Sequence, residues 1–457
     1  MNFTARAKDI LHKAFQTRGH SFRWALGAFL VARAFYGLWS LVVLCVSPIA
    51  VQNLTLLGYS VVSAFDLQNS HAYFYVRDVE GQTLQFRPSG DRTLVDLQSG
   101  SHWELVSGRA ISGPLKGNTL EKAPIVAEKI FPYHGVQPYS IAWLALWQRF
   151  DTNWFLKIAE RGYSPQDGST AFFPLYPLLT HLLGSVIGDV FLASLLVSAF
   201  ALIAALFLFH KVSIFYSDIG SADRALVYLL TFPMAFFLFG GYAESTYLMF
   251  VLGSFLFAQR RRWPIAALLG AMAALTRGIG ILLFIPLIYM WWVQGASRHW
   301  RDTFAIFLVP LGVLSYLGFT GLSAFNSYRN AWHAGFALPW QHFSDFVMLI
   351  VNHRLLPVDI FNMLTTVLFG ILCLFIWLRL PRELGLYSIS MYLLPLFGIN
   401  PGQPFVSMAR YVIVIFPAFI LLGQWGGNSW INRMILYLSF PAALYFSAQF
   451  WMWGWVG

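Results

Sequence analysis

The sequence predicts an all-α polytopic membrane protein of about eleven or twelve transmembrane helices, with a small β-rich insert in its first extracytoplasmic loop. Composition points there first. Of 457 residues, 58% are hydrophobic and only 11% are charged. A soluble domain carries about 25% charged residues, so these charges are too few to cover a soluble surface. The second observation is about eleven separate stretches long and apolar enough to cross or nearly cross a bilayer. The third is that basic residues gather in short connecting segments on alternate sides of those stretches, as the positive-inside rule requires.

The N-terminus is basic, with Arg6, Lys8, Lys13, Arg18 and Arg23, and the apolar run Trp24 to Ile49 follows. That run is too long for a signal-peptide core and has no small-residue cleavage site after it, so it reads as a retained first helix. The other basic markers are Lys211 and Arg224, then Arg260-Arg261-Arg262, Arg298 and Arg301, Arg379 and Arg382, and Arg433. With these in the cytoplasm, helices fall near 24–50, 190–210, 225–241, 243–259, 263–279, 280–296, 303–323, 357–378, 384–399, 408–425 and 433–454, and the C-terminus lies outside. Segment 172–188 then has both ends outside. It carries Pro174 and Pro177, and reads as a re-entrant or interfacial piece, or else as a twelfth helix.

The domain plan is a cytoplasmic N-terminus (1–23), a first transmembrane helix (24–50), an extracytoplasmic loop (51–171) and a multi-helix body (172–457) with a second extracytoplasmic loop (324–356). Within 51–171, strand patterns appear at His71 to Val76, Thr83 to Phe86 and Trp103 to Val106. The turn-like Asp78-Val79-Glu80-Gly81 and the breakers Pro88, Gly90, Gly113 and Pro114 separate them. A β-rich insert is expected at about 60–135, followed by a surface helix at about 150–162. Cys45 and Cys373 lie in apolar segments and read as small buried hydrophobes, so the insert has no disulfide framework. The formal net charge is +10. The basic residues are dispersed among short loops, which suits membrane lipids as partners and excludes nucleic acid.

Chemistry-bearing residues concentrate in five places. In Arg149 to Tyr163, a helix from Thr152 to Arg161 puts Trp154, Phe155 and Ile158 on one face and Lys157, Glu160 and Arg161 on the other. Asp151 stands at its N-terminus, where a carboxylate stays ionised, as a general base must; it equally suits a helix cap. Phe172-Phe173-Pro174-Leu175-Tyr176-Pro177 follows, then Gly241-Tyr242-Ala243-Glu244-Ser245 at a tight outer turn. Arg33, Arg277 and Arg410 sit in or at the ends of apolar segments. Intramembrane charge is costly and marks function by default, although arginines at helix ends also snorkel to headgroups. The sharper reading of Arg410, Arg277 and then Arg33 is phosphate binding, since the guanidinium fork matches phosphate. No Asp-x-Asp, Walker loop or His-Glu-x-x-His is present.

Asp151-Thr152-Asn153-Trp154-Phe155 with Ile158 to Tyr163, then Phe172 to Pro177, Tyr242-Ala243-Glu244-Ser245, Leu275-Thr276-Arg277 and Ala409-Arg410-Tyr411 resemble, in order, the motifs of the PIG-V mannosyltransferases. These are the GPI mannosyltransferase 2 enzymes and their prokaryotic relatives. The resemblance covers roughly residues 140–420. It departs where the family has Trp-Asp-Ser and this chain has Phe150-Asp151-Thr152, and the insert has no family counterpart.

The resemblance implies a GT-C-type fold and a sugar, usually mannose, moved with inversion from a polyprenyl- or dolichyl-phosphate donor to a glycolipid or glycoprotein acceptor on the extracytoplasmic face. It implies catalytic roles for Asp151 and Glu244, with Trp154, Tyr163, Phe173, Tyr176, Tyr242 and Tyr411 as candidate substrate-binding residues. No metal ligands are singled out and no cofactor is called for, although some GT-C enzymes use a divalent metal ion. The expected location is a bacterial or archaeal plasma membrane, or the endoplasmic reticulum membrane in a eukaryote. The alternatives are a lipid or solute transporter, for which the sequence lacks inverted repeats, and a non-catalytic membrane scaffold for envelope glycan assembly.

Overall fold

A computed structural model describes residues 18–456 apart from 57, 91, 124–132, 295–299, 332–334 and 400–401. Arg6, Lys8, Lys13 and Arg298, and the expected end of the insert at 124–132, lie outside the described residues. The chain divides into two compact units. One comprises the residues up to Arg33 with Ile158–Ala443, and the other Ala34–Lys157 with Leu444–Val456.

The first unit is helical. After the start of α1 (Arg18–Val46) and the end of α2 (Asp151–Arg161) come α3 (Leu175–Ile187), α4 (Val190–Tyr216), α5 (Ile219–Thr231), α6 (Glu244–Gln259) and α7 (Trp263–Thr276). Then follow α8 (Phe284–Gln294), α9 (Leu308–Thr320), α10 (Pro339–Val351), α11 (Pro357–Arg379), α12 (Arg382–Leu396), α13 (Phe416–Trp425) and the start of α14 (Ser429–Trp451). Helices α4, α6, α7 and α9 pack in sequence, α3 lies on α4, and α5 lies on α13.

Small residues set these approaches. A Cβ on Gly270 would lie 2.8 Å from Val309 Cγ2, and one on Gly312 would lie 2.9 Å from the Ala271 carbonyl oxygen. Close backbone contact of this kind is how helices pack where apolar burial gives no drive between them.

Among the described residues, four helices are long and apolar enough to cross a membrane: Gly19–Val46, Val190–Tyr216, Arg301–Thr320 and Pro357–Arg379. A fifth arises if Met408–Val414 and Phe416–Trp425 count as one bent span. Their outward surfaces are apolar, with Leu30, Val31, Leu38, Phe319, Leu364 and Leu378 more than half exposed. Inside, Ser194, Ser198, Ser254, Thr366 and Ser388 are buried, and Ser254 and Ser388 donate to the Ala266 and Leu384 carbonyls. Serine and threonine satisfied in this way suit a helix body whose surroundings are apolar.

Several expected spans are interrupted. The stretch 225–241 is α5, ending at Thr231, followed by a 3₁₀ turn at Ala235–Leu238. Pro233 lacks the N–H that would continue the helix. The stretch 408–425 bends by 79° between Met408–Val414 and Phe416–Trp425, where Pro417 stands at the new helix start. Residues 280–296 begin as a 3₁₀ helix, Gly278–Leu283, before α8. Segment 172–188 forms α3, 13 residues long; at 1.5 Å per residue it reaches about 20 Å, short of a bilayer core.

The second unit holds the insert. Strands β1 (Ile49–Leu56), β2 (Tyr59–Asp66) and β3 (His71–Val76) form an antiparallel sheet, and β4 (Asp78–Val79) pairs with β5 (Gln82–Thr83). A second sheet orders β6 (Phe86–Pro88), β7 (Thr93–Asp96), β8 (His102–Glu104) and β9 (Ala110–Ser112). Val62, Ala64, Tyr75, Leu94 and Trp103, from both sheets, are among the insert's buried core. The β4–β5 turn is Glu80-Gly81, both at positive φ (51° and 79°), as a two-residue hairpin requires.

The insert thus starts at Ile49 rather than near 60. Pro48 follows the end of α1 at Val46, and the apolar run beyond it is β1 instead of a helical continuation to 50. The helix expected on the membrane surface, α2, is also different. Its polar Thr152 and Asn153 are buried together with Trp154, Phe155, Leu156, Ile158 and Ala159, so it is an embedded helix with only its C-terminal end, Glu160 and Arg161, exposed.

Candidate functional site

In the first unit, three charged residues from separate parts of the chain meet. Glu244 is the first residue of α6. Arg277 caps the C-terminus of α7 in an extended conformation (φ −147°, ψ 129°). Helices α6 and α7 are joined by the short turn at Arg260-Arg261-Arg262 and pack together, which brings the start of one beside the end of the other. A carboxylate at a helix N-terminus and a guanidinium at a C-terminus both suit the helix dipole. Arg410 lies in the short turn Met408–Tyr411, entered through Ser407 at φ 61°.

Both arginines grip one oxygen. Arg277 Nη1 donates to Glu244 Oε1 at 2.7 Å, and Arg410 Nε donates to the same oxygen at 2.6 Å. Glu244 is fully buried, whereas the side chains of Arg277 and Arg410 are 16% and 11% exposed. Glu244 Oε2 has no hydrogen-bond partner among the described residues. The carboxylate therefore lies beneath the two guanidinium groups, which reach toward the surface.

Aromatic faces hold the guanidinium planes. The Arg410 Cζ lies 4.7 Å from the Tyr242 ring centroid and 4.8 Å from that of Phe237. The Arg277 Cζ lies 5.5 Å from the Tyr411 ring. A guanidinium at this range is attracted to the ring face and loses rotational freedom.

The remaining aromatic candidates join through neighbours. Phe173 presses on the backbone beside Arg277, where a Cβ on Gly278 would lie 2.6 Å from the Phe173 ring. Phe173 and Tyr163 each pack on Tyr316, with centroids 4.8 and 5.7 Å apart. Tyr163 and Tyr316 both donate to the Phe172 carbonyl, at 3.0 and 2.8 Å. Burial pushes the Tyr163 phenol well above its ordinary value. Tyr176 Oη lies 2.9 Å from Ser198 Oγ, and Ser198 donates to the Tyr242 carbonyl at 3.1 Å. Arg33 donates to the Phe239 carbonyl at 3.2 Å, bracing the segment that carries Phe237 and Tyr242.

The structure thus brings together Glu244, Arg277, Arg410, Tyr242 and Tyr411, and links Tyr163, Phe173 and Tyr176 to them. Phe237, Ser198 and Tyr316 are additions that the sequence does not single out. An aromatic or serine in an apolar stretch carries no local signal, and the one available cue to Phe237 is its place five residues before Tyr242.

Asp151 and Trp154 belong to the second unit. Asp151 is the first residue of α2 and half-buried, preceded by Phe150 at φ 48°. Phe150 packs on Phe450, Trp453 and Trp455. The preceding Arg149 is buried, donating to the Trp451 and Ala145 carbonyls. Trp154 stacks on His134 at 4.2 Å, with Lys157 Nζ 5.1 Å from its ring centroid.

No family model matches the chain, and neither does a curated protein or a solved structure.

Proposed function

We propose that this chain is a multi-pass membrane glycosyltransferase of GT-C type, resembling in its motifs the PIG-V mannosyltransferases, which moves a sugar from a polyprenyl- or dolichyl-phosphate donor. The observation that carries the reading is the pair of guanidinium groups fixed over a buried carboxylate. Arg277 and Arg410 come from segments more than a hundred residues apart, are oriented by one oxygen of Glu244 and by rings, and keep part of their surface exposed. That is a preorganised site for a phosphate.

In this mechanism the acceptor hydroxyl oxygen attacks the anomeric carbon, the bond to the donor phosphate breaks, and the electron pair leaves with the lipid phosphate. Negative charge grows on the phosphate as the bond lengthens. Arg277 and Arg410 stabilise it without reorganising, which lowers the barrier as well as holding the donor. Glu244 serves as the residue that positions both arginines rather than as a base, since it is buried and doubly engaged. Asp151 is assigned the general base, the role the resemblance gives it.

The protein in detergent or nanodiscs, supplied with polyprenyl-phosphate-mannose and a panel of glycolipid and glycopeptide acceptors, should release polyprenyl phosphate in step with sugar transfer. Donor binding without release across the panel would favour a transporter or scaffold.

A further inference from the structure

A second cluster lies elsewhere in the first unit. His20, in the first turn of α1, and His210, on α4, both aim Nε2 at one carboxylate oxygen of Asp223, on α5. His210 Nε2 is 2.8 Å and His20 Nε2 is 3.3 Å from Asp223 Oδ1. The three donor atoms lie within 4.8 Å of one another, and the two imidazole centroids are 5.6 Å apart. Along α4, His210 is twelve residues beyond Ser198, which is tied to Tyr242; at 1.5 Å per residue that is about 18 Å. The cluster is therefore remote from Glu244.

We infer that His20, His210 and Asp223 form a site for a divalent metal ion of the Zn²⁺ class. Two imidazoles and one carboxylate make a common zinc ligand set, and metal–ligand bonds of about 2.0–2.1 Å in tetrahedral array put donors about 3.3 Å apart. The His20–Asp223 spacing already equals that, and the His210–Asp223 spacing needs to open by about half an ångström. His210 is already oriented as a ligand, because its Nδ1 is 2.9 Å from the buried hydroxyl of Ser21. A hydroxyl accepting from Nδ1–H leaves the Nε2 lone pair facing the ion, the outer-shell arrangement that orients metal-binding histidines.

Burial follows the same logic. His210 is fully buried, the Asp223 side chain is 28% exposed and that of His20 is 48% exposed, so the fixed ligands lie inside and the last one closes from the solvent side. A water completes four-coordination. The ion would staple the beginning of α1 to the α4–α5 corner, linking parts of the chain nearly two hundred residues apart.

The test uses untagged full-length protein in detergent, stripped with chelator, dialysed against Zn²⁺ or Co²⁺ and assayed for bound metal and thermal midpoint. The expected result is one ion per chain, the intense visible absorption of four-coordinate Co²⁺, and a midpoint that falls on chelation. His20→Ala and Asp223→Asn should each abolish stoichiometric binding and the chelator response, and Ser21→Ala should weaken affinity by about tenfold or more. His20 is exposed, so its variant should fold even if one at His210 does not. Equal metal content and equal midpoints for wild type and His20→Ala, with or without chelator, would overturn the site.

Discussion

Glu244 faces two guanidinium groups with a single oxygen, so neutralising it strikes three residues at once. Glu244→Gln leaves Arg277 and Arg410 around a neutral amide in a buried place. Losing one partner of a buried charge pair costs about 3–5 kcal/mol, and the thermal midpoint in detergent should fall accordingly. Turnover should fall too, because the arginines lose their common anchor. Asp151→Asn is the contrast. It should leave the midpoint near wild type and lower sugar transfer by about 10²–10⁴-fold, the usual loss on removing a general base; wild-type turnover from a folded Asp151→Asn protein would remove it from the chemistry. At this scale the sequence is informative where residues are rare in their surroundings. Arg277, Arg410 and Glu244 stand out because charge in apolar stretches is costly. Phe237, Ser198 and Tyr316 do not stand out, and their importance arises only from contacts made across the fold.

At the level of elements, length and apolarity add up along the chain, which is why α11 is readable from sequence almost to its ends and α4 from its start, although α4 runs on to Tyr216 past the expected end at 210. Prolines decide three of the departures. Pro48 turns an apolar run into β1, Pro233 ends α5 early, and Pro417 opens the bend before α13. The α7–α9 crossing offers a test of helix packing. Gly312 abuts the Ala271 carbonyl, whereas a Cβ on Gly318 of the same helix meets nothing within 4 Å. Gly312→Val should destabilise by about 1–3 kcal/mol through overpacking. Gly318→Ala should be neutral or stabilising by up to about 1 kcal/mol through helix propensity. Thermal midpoints that move alike for the two would contradict the crossing.

The insert makes its own prediction. Burial pushes the Asp96 carboxyl up, but bonds from the Trp103 indole (2.9 Å), the Ser99 hydroxyl and amide and the Ser101 amide hold it below the ordinary carboxylate value. A carboxyl whose folded value is depressed contributes stability in full above its unfolded value, about 3.9, and loses it as pH falls through the lower folded value. Protection of the amides across residues 93–104 against hydrogen exchange, taken relative to the intrinsic exchange rate at each pH, should therefore fall on acidification below about pH 4, and Asp96→Asn should lose that dependence.

For the molecule as a whole, the alternation of basic loops with apolar helices implies opposite membrane faces for Glu160 and Arg261, both exposed residues of the first unit. In a background lacking Cys45 and Cys373, a cysteine at 160 should react with an impermeant maleimide in intact cells and one at 261 only after permeabilisation. The reverse pattern would put the arginine pair on the wrong side for an extracytoplasmic lipid phosphate. The central claim is that this pair clamps such a phosphate, and its most direct measurement is donor affinity together with single-turnover sugar transfer in wild type, Arg410→Lys and Arg277→Lys. Lysine keeps the charge and loses the fork. Both folded variants should bind the donor more weakly and lose still more in the transfer step, with the greater loss at Arg410. Wild-type affinity and transfer rate in both folded variants would contradict it.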